Sequence, residues 1–300
     1  MGRWSIAALA LASVLSGTGP ALAEPLRTVA SFSILGDLVH QVGGDRVEVA
    51  VLVGANGDAH TFSPSPSDAR RLTGARLVVI NGLGFEGWIE RLVKASGTKA
   101  PVVVASAGVT PIREEEHAHA GHEGHPIDPH AWQSIANAKR YVTAIRDGLI
   151  GVDPEGRSAY EANAGAYLAK LDALETEVRG AVASIPEERR RVITTHDAFG
   201  YFAKTYGMRF IAPQGVSSDT EATAKDVARI ITQVKREKIP AVFLENISDP
   251  RLMMQIARET GAKAGGRIFS DALSEPGGPA PTYIDMMRHN IREFTAALRG

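Results

Sequence analysis

Three features of the sequence predict an α/β protein of two lobes, each a parallel sheet wrapped by helices, joined by one long rigid backbone helix. From Arg27 onward, short β-rich runs alternate with amphipathic helical ones. The alternation gives way to an unbroken apolar stripe between Pro154 and Ile185, and then resumes to the end of the chain. The expected division is residues 24–150 for the first lobe, 151–185 for the linking helix and 186–300 for the second lobe. Three hundred residues, 44% hydrophobic and 22% charged, describe an ordinary globular chain long enough for such a pair.

The first 23 residues read as a secretory signal: one basic residue, an apolar run from Ile6 to Leu15, and Ala21-Leu22-Ala23 before Glu24. That run is shorter than the roughly 20 residues a bilayer-spanning helix needs. Cleavage after Ala23 and a soluble periplasmic product are expected. The chain contains no cysteine, which excludes disulfides, thiolate ligands and a lipid-acceptor Cys, so no direct membrane anchor is expected. Of 33 basic residues one lies in the signal, leaving 32 against 34 acidic ones and a net charge of −2. Such a balance suggests neither nucleic acid nor an anionic membrane as partner, and a monomer is expected.

In the first lobe the runs RTVA, VEVAVLV, LVVIN and PVVVA read as strands, and ILGDLVHQV, DARRL and FEGWIERLVKA as helices between them. The loop GANGDAHTFSPSPSD carries His60 and ends in Ser65-Pro66-Ser67-Asp68. A capping hydroxyl, a proline in the first turn and an acid near the positive helix end form a helix start. His60 therefore belongs after the carboxyl end of a strand and before a helix. The stretch from His117 to His130, HAHAGHEGHPIDPH, then places five of the nine histidines in fourteen residues. Its first part, the His-rich loop 114–125 with His117, His119, His122 and His125, has no apolar periodicity and reads by composition as an auxiliary metal-contacting loop or a solvated insert. His130 differs, because it opens the structured segment AWQSIANAKRYVTAI, with a helix through Ile135 to Leu149.

Between Pro154 and Ile185, the positions Tyr160, Ala164, Tyr167, Leu171, Leu174, Val178, Ala181 and Ile185 repeat by fours and threes, a continuous stripe on one long helix. Such a rod suits small tilts and loop ordering rather than a large hinge closure. The second lobe follows as RRVITT, AFGYFAKTY, MRFI, TAKDVARIITQVKRE, AVFLEN, PRLMMQIARE, GRIFSD and YIDMMRHNIREFTAAL. His196 comes directly after the strand RRVITT and Asp271 directly after RIFS.

Taken singly, His196 before Asp197 and Asp271 before Ala272 read as helix caps sooner than as metal ligands. The repeated placement is more informative. In open α/β sheets, ligands bind outside the carboxyl ends of the strands, so two facing lobes bring His60, His130, His196 and Asp271 towards one point. Three imidazoles and one carboxylate match a four-coordinate zinc site with ligands at roughly 2.0–2.2 Å. Neutral imidazole suits borderline Zn²⁺, whereas Mn²⁺ prefers oxygen.

The segments DAHTFSPSPSD, IDPHAWQS, TTHDAFGYF and FSDALS, in this order and with a long helix between the second and third, resemble the metal-specific solute-binding proteins of ABC importers, the cluster 9 or A-I class. The resemblance covers essentially the whole mature chain. It implies a metal held between the lobes by His60, His130, His196 and Asp271, capture of Zn²⁺ and its delivery to a membrane ABC permease. It also implies zinc rather than manganese, because manganese members commonly have glutamate at the third ligand position. A His-rich loop is typical of zinc members and suits scavenging, with a periplasmic zinc metallochaperone as a further candidate partner. The alternatives are a secreted zinc-dependent hydrolase, a manganese-binding relative, and a metal buffer or adhesin. A hydrolase needs a water position and a base; no HExxH is present, leaving only Glu221 and Glu245 as candidate bases. The turn before ALSEPGGPAP suggests that Asp271 is the ligand released first.

Overall fold

The computed structural model describes residues 24–113 and 127–299. Residues 1–23, expected to be a signal, and the loop histidines His117, His119, His122 and His125 lie outside the described residues.

The first lobe runs β1 (Leu26–Phe32), α1 (Ser33–Gly43), β2 (Val47–Val53), α2 (Pro66–Thr73), β3 (Leu77–Ile80), α3 (Ile89–Ser96) and β4 (Val102–Val104). Its four strands are parallel in the order β2-β1-β3-β4. β1 is almost wholly buried along LRTVASF, as expected of a parallel strand covered on both faces. The helices sit close: a Cβ on Gly36 of α1 would strike Val51 of β2. The start of α2 forms as the sequence predicts, with Asp68 accepting hydrogen bonds from the backbone N–H of Ser65 at 2.8 Å and from its hydroxyl at 2.6 Å.

Beyond β4 a short antiparallel pair, β5 (Ile112–Arg113) with β6 (Ile127–Asp128), brackets residues 114–126 and delivers the chain to His130. Two long helices follow, α4 (Ile135–Val152) and α5 (Arg157–Ala183). The rod is shorter than its stripe suggests, because Pro154–Gly156 form a separate 3₁₀ turn and α4 extends past Leu149. The buried face of α5 is Tyr160, Ala164, Tyr167, Leu171, Leu174, Val178 and Val182. Val182 takes the position expected of Ala181, since a helix of 3.6 residues per turn drifts against a strict alternation of fours and threes.

The second lobe comprises β7 (Arg191–Ile193), α6 (Gly200–Tyr206), β8 (Arg209–Ile211), α7 (Ala224–Glu237), β9 (Ala241–Glu245), α8 (Arg251–Thr260), β10 (Lys263–Ile268) and α9 (Tyr283–Leu298). Its strands are also parallel, in the order β10-β9-β7-β8. Read from the other edge this is the first lobe's connectivity again: the leading strand lies inside, the next pairs on one side, and the remaining two on the other. Each sheet thus has a switch point, between β1 and β3 and between β7 and β9, where connections leave in opposite directions and a crevice opens at the carboxyl ends.

α5 packs on α1 and α4 of the first lobe and on α6 and α9 of the second. One apolar core therefore continues from Phe32 and Trp132 through Leu171 and Leu174 to Phe199 and Phe294. A smaller cluster around Ile230, Val242 and Ile256 lies beneath α7 and α8. Among the described residues no helix is long and apolar enough to cross a membrane.

Because Leu174 is fully buried in the shared core, Leu174→Ala should lower the unfolding free energy by about 2–5 kcal/mol. Lys170→Ala, on the exposed face of the same helix, should stay within about 0.5 kcal/mol. Urea unfolding of the two variants checks both values.

Candidate metal centre

Four loops meet in the crevice. His60 follows β2, His130 follows β6, His196 lies three residues beyond β7, and Asp271 lies three residues beyond β10. One ligand atom from each lies within 4.8 Å of all the others. Asp271 occupies the middle: Oδ2 is 3.1 Å from His196 Nε2 and 3.4 Å from His60 Nε2, and Oδ1 is 3.6 Å from His130 Nε2. The His60 and His130 Nε2 atoms are 3.3 Å apart. His130, His196 and Asp271 are wholly buried, and the His60 side chain is 4% exposed.

Each ring is set from behind. His130 Nδ1 lies 2.8 Å from Asp128 Oδ1, which also accepts the His130 backbone N–H at 2.9 Å. The turn carrying them is fixed by Asn81, whose amide donates to Pro129 O while its oxygen accepts from Tyr141. His196 Nδ1 lies 2.6 Å from Glu245 Oε2. Glu245 also accepts the backbone N–H groups of Thr195 and His196 and the Ser270 hydroxyl. The His60 loop is held by Trp88, which donates to Ala59 O at 2.8 Å, and by Asp58, which accepts from His60 N and, across the crevice, from the Ser218 hydroxyl. Phe32, Phe85 and Trp132 pack with centroids 4.8–5.0 Å apart as an aromatic floor under His60 and His130.

These contacts leave the inner atoms unspent. His196 Nε2 and both Asp271 oxygens are buried and, among the described residues, face only one another and the other ligand candidates, an arrangement that is costly unless protons or a cation are shared among them. The donor set fits a divalent transition metal, with three imidazole nitrogens and one or two carboxylate oxygens and a carboxylate behind two of the three rings. Without a metal, the burial of Asp271 opposes its charge, but His196 and His130 hold it well below the usual carboxylate range. Burial likewise opposes a proton on His130, yet Asp271 and Asp128 push it up to about 9. Glu245 and Asp271 overcome burial in the same way and raise His196.

All four residues singled out from the sequence therefore meet, and the supports behind them extend the set. Asp128 stands two residues before His130, and the signal for it was present in Asp128-Pro129-His130. Glu245, one of the two candidate bases, faces Nδ1 of His196, away from the inner Nε2, while Glu221 is exposed on the 217–223 turn. The Asp271 turn is not a mobile edge: Phe269 is hydrogen-bonded in both directions to Asn290, Ala272 O accepts from Asn246, and Leu273 N donates to Ser33.

A family model described as "Zinc-uptake complex component A periplasmic" matches residues 28–297. Among curated proteins, the chain is 35% identical to the manganese-binding lipoprotein MntA of Halalkalibacterium halodurans, covering 92% of this chain and 89% of that protein. It is 32% identical to the iron-binding protein YfeA of Yersinia pestis, over 90% and 85% of the two chains. Among solved structures, the periplasmic zinc binding protein TroA of Treponema pallidum superposes with a TM-score of 0.86 at 28% identity, covering 92% of this chain and 100% of that one. The manganese-bound periplasmic metal binding protein of Candidatus Liberibacter asiaticus gives 0.80 at 28% identity, over 90% and 98%.

An imidazole must be neutral to hold a metal, so loading has to expel the proton that His130 keeps up to about pH 9. Apparent metal affinity should therefore rise from pH 6 to pH 9. The metal-free protein should do the reverse: a histidine raised from an ordinary value near 6.5 contributes stability that is complete below that pH and lost as pH approaches about 9. Chelator-competition titrations and thermal melts of stripped protein across this window check the two opposite slopes.

Proposed function

Because this chain belongs to the zinc-uptake complex component A periplasmic family, we propose that it is a high-affinity periplasmic zinc-binding protein that captures Zn²⁺ and delivers it for import. Its class is that of the metal-binding, substrate-binding components of ABC transporters, with a membrane ABC permease as partner. The observation that carries zinc is the donor set: three imidazoles from three loops surround one carboxylate. Nitrogen-rich, four-donor surroundings suit Zn²⁺ better than hard, oxygen-seeking Mn²⁺. His60, His130, His196 and Asp271 would be the ligands and the metal the cargo. Hydrolysis is disfavoured, since Glu245 is committed behind His196 and Glu221 faces solvent.

A second reading, manganese or ferrous iron, is favoured by one feature of the same site. Both Asp271 oxygens face imidazole nitrogens and are otherwise unpartnered among the described residues, so a bidentate carboxylate would give five donors. Relatives named for manganese and iron share the fold.

The deciding test is a competition titration of metal-stripped protein with Zn²⁺ against Mn²⁺ and Fe²⁺, repeated with His196→Ala. One tight zinc equivalent that displaces the other ions, and that the variant weakens by more than the roughly 10- to 100-fold typical of removing an outer partner, is expected. Preference for manganese would transfer the function to the second reading, and indifference to His196→Ala would remove the ligand set. Glu245→Gln, which keeps the shape but not the charge behind His196, should cost about 10- to 100-fold in zinc affinity by the same titration.

A further inference from the structure

The two lobes share the metal centre, yet the covalent path between their ligands runs the length of α4 and α5. Something local must set how far Asp271 reaches towards His130. Of the local ties that span the crevice, Asp58 to Ser218 and Ser33 to Leu273 among them, the one at Ser270 joins the His130 segment to the residue next to Asp271. Trp132 Nε1 and Gln133 Nε2, two and three residues beyond His130, both donate to the carbonyl of Ser270, at 3.0 and 2.8 Å. Ser270 is the residue before Asp271, and its hydroxyl donates at 2.8 Å to Glu245, the carboxylate behind His196. Trp132, Gln133 and Ser270 are wholly buried. A single peptide group of the second lobe is thus gripped by the first lobe's ligand segment and connected to both second-lobe ligands.

Gln133 is a costly choice if it only packs. Its Oε1 is buried with no hydrogen-bond partner among the described residues, a desolvation penalty that leucine or methionine of similar volume would avoid. What those residues lack is the donor to Ser270. Trp132 differs, since its ring also forms the aromatic floor with Phe32 and Phe85.

We propose that Gln133 is a positioning residue: its carboxamide, with the Trp132 indole, clamps the Ser270 carbonyl and so fixes the lobe-to-lobe placement of Asp271 that retains the metal. The inference rests on the reading of Asp271 as a ligand and adds what holds that ligand in place. Without the clamp the carboxylate can follow its own lobe away from His60 and His130, and the metal leaves sooner.

The experiment measures zinc dissociation from the loaded, full mature chain into excess chelator, for Gln133→Leu, Asp271→Ala and the double variant, with thermal melts of each stripped protein. The expected result is a roughly tenfold faster release for Gln133→Leu, the scale of an outer partner, while its metal-free melting temperature stays level or rises as the orphaned oxygen is removed. In the Asp271→Ala background the same substitution should change release by less than about twofold, within the scatter of additivity, so that nearly the whole effect is coupled to Asp271. Gln133→Met, unbranched like glutamine, serves as the second variant should Gln133→Leu fail to fold. Unchanged release in the otherwise native chain, or an equal acceleration in both backgrounds, overturns the proposal. If Asp271→Ala itself leaves release unchanged, the ligand reading falls first and takes the clamp with it, an outcome separable from the other two.

Discussion

Asp271 is wholly buried and carries its charge among three imidazoles, at 3.1–3.6 Å from their Nε2 atoms. A lone carboxylate in that position would be neutralised by protonation, because desolvation of an unpaired charge is worth several kcal/mol. The positive partners must therefore be delivered to it, whether as protons on His130 and His196 or as a metal ion in their place. Since the carboxylate comes from one lobe and two of the imidazoles from the other, neither lobe satisfies its own crevice alone. The architecture is arranged around that mutual need.

The duplicated connectivity explains how four distant loops can meet. Both sheets open their switch-point crevice at the carboxyl ends, and α5 holds the two openings face to face. Because one apolar core runs from the first lobe through α5 to α9, turning one lobe as a rigid body would expose part of that core. Parting the crevice locally disturbs fewer apolar contacts and instead breaks the polar ties that span it: Asp58 to Ser218, Ser33 to Leu273, and Trp132 and Gln133 to Ser270. Small loop displacements are thus the cheaper route for the cargo, and the ties that carry them sit next to ligands.

The strands, the rod and the four inner residues were legible because each leaves a local mark: a β-rich run, a heptad-like stripe, a histidine or aspartate in the loop that follows a strand. The helix bounds were less so, since Pro154 looks like a first-turn proline yet starts a 3₁₀ turn. The outer residues left weaker marks. Asp128 could be found from its spacing to His130. In the sequence Glu245 reads only as a candidate base, and the fold alone shows that β9 places it between β7 and β10. Gln133 and Ser270 carry no signal at all in one dimension, because their roles come from a contact across 137 positions of chain. The pinning of the Asp271 turn was likewise hidden, because the glycines and prolines after it advertise mobility while Asn290, Asn246 and Ser33 supply order from elsewhere.

The same fold serves relatives named for manganese, iron and zinc, so metal choice must lie in the donor set rather than in the scaffold. Here nitrogen outnumbers oxygen, which favours zinc, yet a carboxylate with two free oxygens can add a fifth donor if it is allowed to rotate or advance. Whether it does so depends on how rigidly Ser270 is held one residue earlier. A tightly held carbonyl fixes one approach of Asp271 and a small, four-coordinate cavity; a looser one permits bidentate contact and a larger ion. If Asp271 is a ligand and Ser270 is clamped as proposed, retention and selectivity would be two consequences of one hydrogen-bonded peptide group, tuned by a side chain that never touches the metal.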